Sequence, residues 1–281
     1  MTTLAVTGAT GVLGRFVAQE LADRGLQQRL LARTPAKAPN LPGATVHRFA
    51  YDARDETAAA LDGVDILFMV SASESAERLE QHRIFVDTAA TAGVKHIVYT
   101  SFFGASPTAT FTLARDHDIT EKYIAATGVG YTFLRDNLYL DFMDALVGDD
   151  DVIRGPAGAG RVSAVARIDI AQAAVTVLTD PEAHAHKTYD LTGRESLTMT
   201  EIAKILSAHR GSPVSFHNET IEEAYESRKR WDEPQWQYDA WVSTYTAIAE
   251  GEMARISPHL EQLLGHPPLT LREFLAGAPA S

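Results

Sequence analysis

The chain has 281 residues, with 37 Asp or Glu against 25 Lys or Arg, a formal charge of −12. That balance argues against nucleic acid as a main partner, because phosphate contacts draw on clustered Lys and Arg. The absence of cysteine excludes a disulfide framework, a thiolate metal site and a cysteine nucleophile, and no metal site is expected. No charged and apolar leader pattern opens the chain, and no apolar run approaches the ~18 residues of a membrane span. A cytoplasmic protein without a membrane partner, monomer or homodimer, is expected.

The first apolar run, Leu4 to Val6, meets Gly8, Gly11 and Gly14, and a helical pattern follows from Arg15 to Arg24. A strand passing to a helix through such glycines is suited to a bound pyrophosphate. Gly8 permits a tight turn, Gly11 a close backbone approach, and Gly14 close packing of helix on sheet. Backbone N–H groups at the helix start then face the anion. The spacing is G-x-x-G-x-x-G rather than G-x-G-x-x-G. The loop residues expected at the cofactor are Gly8, Thr10, Gly11, Val12, Leu13 and Gly14.

Further strands are expected at Arg29–Ala32, Thr45–Phe49, Ile66–Val70, His96–Ser101 and Tyr131–Leu134, with helices at Ser75–Ala92 and Asp118–Ala126. Alternating strands and helices imply a doubly wound, Rossmann-type α/β fold with a parallel sheet. The nearly unbroken apolar runs Ile66–Val70 and His96–Thr100 fit strands covered on both faces. Ligands in such sheets sit at the strands' carboxyl ends, which gathers Gly8, Arg33, Ser71, Ser101 and the residues after Leu134. The second strand ends without the acidic residue that holds an NAD ribose. Arg33 stands there instead, able to pair with a 2′-phosphate, so NADP is expected over NAD.

The character changes near Asp150. Residues 1–150 are expected to form the NADP-binding domain, and 151–281 a smaller, mainly helical substrate-binding region. Gly148 to Asp151 reads as a solvated acidic loop, and Gly155 to Gly160 as a flexible turn. A helix is expected at Ile168–Leu178, a strand at Thr188–Leu191, and a helix capped at Thr198 or Thr200 and reaching His209. Residues 220–275 read as helical and aromatic-rich. Trp231, Trp236, Tyr238, Trp241 and Tyr245 are expected mainly as packing between helices, with a lid over a flat acceptor as the other reading.

With TGATGVLG, a strand ending LLAR, KHIVYTSFFGA and DHDITEKYIAATGVGYTFLRDNLYLDF, the chain resembles the NmrA-like atypical short-chain dehydrogenases. It is most similar to their group of type 2 NADPH:quinone oxidoreductases and triphenylmethane reductases. Most short-chain dehydrogenases carry a Tyr-x-x-x-Lys pair before the sixth strand. Counting back from Glu121, the lysine position holds His117 and the tyrosine position Leu113. Tyr225 and Lys229 have the right spacing but come far too late, and are expected on an exposed helix face.

The resemblance implies a reductase of quinones or other electron-poor small acceptors, since hydride delivery to these needs mainly orientation. Ser101, His117 and Tyr139 are the candidate catalytic residues. Ser101 stands near the nicotinamide or caps its strand end. His117 bonds the ribose or gives a proton to a quinol oxygen. Phe102, beside the nicotinamide, joins Arg33, Asp52, Ser71, Ser101 and His117 as cofactor residues. Phe103, Asn137, Tyr139 and Trp231 are the candidate acceptor residues. A non-catalytic NADP-sensing regulator and a biosynthetic enone or imine reductase remain the other readings.

Overall fold

A computed structural model of the chain describes residues 2–277. Its strands form where short apolar runs are bounded by turns, and its helices where apolar residues recur every three or four positions. The first half runs β1 (Leu4–Thr7), α1 (Val12–Asp23), β2 (Gln28–Ala32), β3 (Ala44–Arg48), α2 (Arg54–Leu61), β4 (Ile66–Met69), α3 (Arg78–Thr91), β5 (His96–Phe102), α4 (Thr112–Ala126) and β6 (Gly130–Asp136). The second half runs β7 (Val152–Gly155), β8 (Arg161–Val162), α5 (Arg167–Thr179), β9 (Lys187–Leu191), β10 (Leu197–Thr198), α6 (Met199–Arg210), β11 (Ser215–Asn218), α7 (Ile221–Arg228), α8 (Gln235–Ala249), α9 (His259–Leu264) and α10 (Leu271–Leu275).

Two compact units share the chain, and each takes three segments. The first comprises residues 2–101, 117–135 and 170–189, the second 102–116, 136–169 and 190–277. The central sheet has the order β3-β2-β1-β4-β5-β6-β9. The pairs β2–β3, β1–β2, β1–β4 and β4–β5 are parallel, as crossover helices require. This is the Rossmann-like α/β fold expected from the alternation of elements. Leu67, Phe68 and Met69 of β4 are fully buried, each contributing about 1.5–3 kcal/mol of transfer free energy. Leu67 and Met69 pack with Phe85, Val86 and Tyr99 in a core cluster of the first unit.

The second unit has its own core, which includes Ile153, Ile202, Leu206, Tyr245 and Ile248. Its strands are short: β7 pairs β11 in parallel and β8 pairs β10 antiparallel. None of these four strands is expected from sequence, because two to four residues carry too little alternation to stand out. Thr198 caps α6 through a reciprocal capping box with Glu201.

Several expectations need correction here. Helix α2 goes unforeseen because it buries only Thr57, Ala60 and Leu61 of a mostly polar segment. Helix α4 starts at Thr112 rather than Asp118. The helical tail is interrupted at Asp232, whose φ of 48° is left-handed, and again between α8 and α9 and between α9 and α10. Of the late aromatic cluster only Tyr245 is core. Trp231 is 48% exposed, while Trp236, Tyr238 and Trp241 are half-buried. Tyr225 is half-buried rather than on an open face, and its hydroxyl donates to Asp239 at 2.8 Å.

Candidate functional site

The turn after β1 is built by two glycines in contact. Gly8 takes a φ of 65°, which a residue with a Cβ adopts only at a cost. A Cβ on Gly14 would come within 2.4 Å of the Gly8 carbonyl oxygen and 2.7 Å of that of Thr7, so α1 rides directly on the turn. Gly11 caps α1 in extended conformation, and no side chain bonds the helix's first N–H groups. Gly11 and Thr10 are exposed, Val12 is an exposed apolar residue, and Leu13 is buried under the helix. An exposed turn backed by an uncapped twelve-residue helix fits a dinucleotide's pyrophosphate.

Thr7, fully buried, ties the strand ends together. Its hydroxyl donates to the Phe68 carbonyl at 3.2 Å and accepts from the Val70 N–H at 2.8 Å. Tyr51 donates to the Val70 carbonyl, and burial pushes its phenol up to about 12. The Ser71 N–H donates to Thr100 Oγ1 at 2.9 Å, and Ser71 itself is half-buried. Arg33 and Asp52 are both exposed. No carboxylate of the described residues lies within 4.0 Å of Arg33, which leaves its fork for an anion.

Ser101 and His117 lie deeper than a solvent-facing pair. The Ser101 hydroxyl donates to Glu121 Oε1, and Arg135 clamps the same carboxylate through Nε at 2.8 Å and Nη2. The His117 ring is buried, with Arg78 Nη2 2.9 Å from Nε2 and the Tyr99 hydroxyl 2.9 Å from Nδ1. A guanidinium only donates, so Nε2 accepts and the ring proton sits on Nδ1. Burial, then the charge of Arg78, holds this imidazole well below its ordinary range. The roles expected of His117 need a ring nitrogen turned toward cofactor or acceptor, whereas these two bonds turn them into the protein.

This network extends beyond what sequence reasoning reached. The Ala72 N–H donates to His82 Nε2 at 2.9 Å, so His82 Nδ1–H faces Thr120 Oγ1 at 2.9 Å. Burial lowers His82 to about 3. Arg78 is buried, lacks a carboxylate within ion-pair reach among the described residues, and its Nε has no hydrogen-bond partner. Only its place at the start of α3, just after Ser71, offered a signal.

In the second unit Phe102 is half-buried against Phe111, ring centroids 4.7 Å apart. Phe103 is buried beneath the Arg255 guanidinium, 4.9 Å from its centroid. Asn137 is also buried, and its amide is spent internally. Nδ2 donates to Ser163 Oγ and the Met253 carbonyl, both at 3.0 Å, and Oδ1 accepts from the Leu138 N–H. Trp231 meets Trp241 edge-on at 5.5 Å and lies under Arg230.

Tyr139 is half-buried and donates to Asp136 Oδ2. The Arg167 guanidinium lies 5.4 Å from its ring centroid and 4.8 Å from that of the exposed Phe142. Asp141 pairs with Arg167 at 2.9 Å. Burial, with Asp136 beside it, holds the Tyr139 phenol well above its usual range. Among the described residues no group of three or more His, Asp or Glu is placed to hold a metal, and no helix is long and apolar enough to cross a membrane.

The chain belongs to the NAD(P)H-binding family, whose sequence model matches residues 8–181. It is an NAD(P)H-dependent oxidoreductase of the Rossmann type. Quinone oxidoreductase 2 of Escherichia coli K12 is 34% identical over 97% of either chain. The NAD(P)H azoreductase of Xenophilus azovorans is 31% identical over 96% of this chain and 95% of that one. The structure of Citrobacter sp. triphenylmethane reductase complexed with NADP(H) is 33% identical, with a TM-score of 0.87 over 98% of this chain and all of the other. These are the quinone and triphenylmethane reductases to which the TGATGVLG and YTFLRDN segments pointed.

Proposed function

We propose that this oxidoreductase passes hydride from NADPH to a quinone or a comparably flat, electron-poor acceptor, without a Tyr-x-x-x-Lys pair. The observation that carries the reading is the state of the two positions where that pair would stand. Leu113 packs in an apolar cluster, and His117 is buried and neutral against Arg78 and Tyr99. Oxidising an unactivated alcohol needs a base for its O–H proton, and neither residue is one. A quinone asks instead for orientation and one proton.

The bound nicotinamide supplies the hydride. On this reading Gly8, Thr10, Gly11, Val12, Leu13 and Gly14 hold the pyrophosphate, and Arg33 takes the 2′-phosphate and sets the preference for NADPH. Asp52, Ser71 and Phe102 flank the dinucleotide. Ser101 and His117 act from inside, the first by fixing Glu121 and the second by fixing Arg78. Tyr139, Arg167 and Phe142 present a ring–cation–ring face suited to a flat acceptor. Asn137 and Phe103 support that region from below. The names of the quinone, azo and triphenylmethane reductases support this acceptor class.

The test is steady-state turnover of purified protein with NADPH and a panel of quinones, beside NADP with secondary alcohols. Quinone-dependent NADPH oxidation without alcohol-dependent NADP reduction is expected. Tight NADPH binding with no acceptor turned over would favour a cofactor sensor instead.

A further inference from the structure

Quinone reduction consumes a proton as well as a hydride, and among the buried carboxyl groups of the second unit Asp136 is the one bonded to a tyrosine hydroxyl. Asp136 ends β6, at the carboxyl end of a strand where parallel sheets take their ligands. It is 2% exposed. No Lys, Arg or His of the described residues lies within 4.0 Å of its carboxylate. Its partners are its own backbone N–H and the Tyr139 hydroxyl. An ionised carboxylate in such a place is costly, so the group keeps its proton far above the usual range. Burial pushes Asp136 up to about 7.

We infer that Asp136 holds the proton delivered to the reduced acceptor, and that Tyr139 hands it over; this rests on the quinone reading above. With Asp136 protonated on Oδ2, its O–H donates to Tyr139 Oη and the phenol O–H is released toward the acceptor. As hydride arrives from NADPH, leaving NADP⁺, the Tyr139 O–H bond breaks and a hydroquinone O–H forms. The Asp136 O–H then breaks to restore Tyr139, and the carboxylate recovers a proton from water after product release. Protonation of Asp136 also removes the negative charge that raises the Tyr139 phenol, so the relay is ready only while Asp136 holds its proton.

The other charged groups around the pair do not compete for this role. Arg167 lies over the Tyr139 ring and is already paired with Asp141. Asp190 is paired with Arg255 at 2.5 Å, and Arg255 lies over Phe103, whose N–H donates to the Asp136 backbone carbonyl at 3.0 Å. Asp169, also raised by burial, accepts from the Leu269 N–H. Asp136 acts through Tyr139 and is a positioning and proton-holding residue, distinct from the group that touches the acceptor.

The experiment joins infrared titration of the cofactor-free protein to the pH profile of quinone reduction. Wild type should show a protonated-carboxyl band that vanishes near pH 7, and Asp136→Asn should lack it. Wild-type kcat should fall as pH rises through that value. Asp136→Asn should be ~10²-fold slower and flat over the same range, and Asp136→Glu should restore the slope. A protein that turns quinones over but shows no such band, or an Asp136→Asn variant that keeps the wild-type profile, would overturn the relay. A wild type that shows the band but turns over no quinone would contradict the acceptor assignment and the relay with it. The band is assigned to Asp136 rather than to Asp169 by its loss in Asp136→Asn and its return in Asp136→Glu, so one variant checks the other.

Discussion

Gly14 sits against the Gly8 carbonyl oxygen so closely that a Cβ on Gly14 would lie 2.4 Å from it, whereas one on Gly11 would lie 3.4 Å away. The first distance is a clash with backbone, the second an ordinary contact. Gly14→Ala must therefore lift α1 off β1, with a loss of several kcal/mol, on the order of ~3 or more. Gly11→Ala should keep the wild-type melting temperature and lose NADPH affinity, because only the dinucleotide approaches it. Melting curves and NADPH titrations of the two variants separate these effects; equal melting temperatures would contradict the packing role of Gly14.

Arg33 is exposed at the end of β2, where only the 2′-phosphate distinguishes NADPH from NADH. Replacing it with Ala removes a charge-assisted pair worth roughly 1.5–3 kcal/mol. KM for NADPH should rise ~10-fold or more, and KM for NADH should barely move. Equal changes for both cofactors would remove Arg33 from the site.

Three buried histidines and two buried aspartates set opposing pH dependences of stability. His82, His96 and His117 have folded values lowered by burial, to about 3 for His82 and about 4 for His96. Each contributes stability that is lost as pH falls below its unfolded value of 6.5. Asp136 is raised from 3.8 to about 7 and burial raises Asp169 too, so both work in the opposite sense and cost stability as pH rises above the ordinary carboxylate range. Between about pH 4 and 6.5 the three histidines outweigh the two aspartates, so unfolding takes up protons. Denaturant titrations across this range should show stability rising with pH. Asp136→Asn should steepen the slope and His82→Gln should flatten it; a slope of opposite sign would contradict these assignments.

Tyr139→Phe keeps the ring beneath Arg167 and removes only the hydroxyl. Hydride addition to a triphenylmethane cation gives the neutral leuco product with no proton, whereas a quinone needs one. The variant should therefore lose ~10²-fold in quinone kcat and far less with a triphenylmethane dye. Parallel losses would mean that Tyr139 orients acceptors and gives up no proton.

Much of this was legible in the sequence, and the reason is periodicity. Gly8, Gly11 and Gly14 signalled a strand-to-helix turn because their spacing follows an apolar strand and opens a helix, and Ile66–Val70 signalled a covered strand because it is apolar throughout. The second unit was less legible. Strands β7 and β11 drew no reading from the sequence, and Trp231 was expected mainly as packing between helices although it is 48% exposed. What periodicity cannot carry is the pairing of buried polar groups. Ser101 was found, but not its bond to Glu121; His117 was found, but not the Arg78 and Tyr99 that hold it; Tyr139 was found, but not Asp136, whose importance lies in burial without a cation.

The reaction itself is tested most directly by mixing the protein with NADPH and a quinone in the absence of oxygen and counting products, with the transferred hydrogen of NADPH replaced by deuterium in a second run. One hydroquinone should form for each NADPH consumed, with a primary isotope effect on the rate or on single-turnover transfer. Tight NADPH binding with no hydroquinone formed from any quinone would contradict a reductase of this acceptor class.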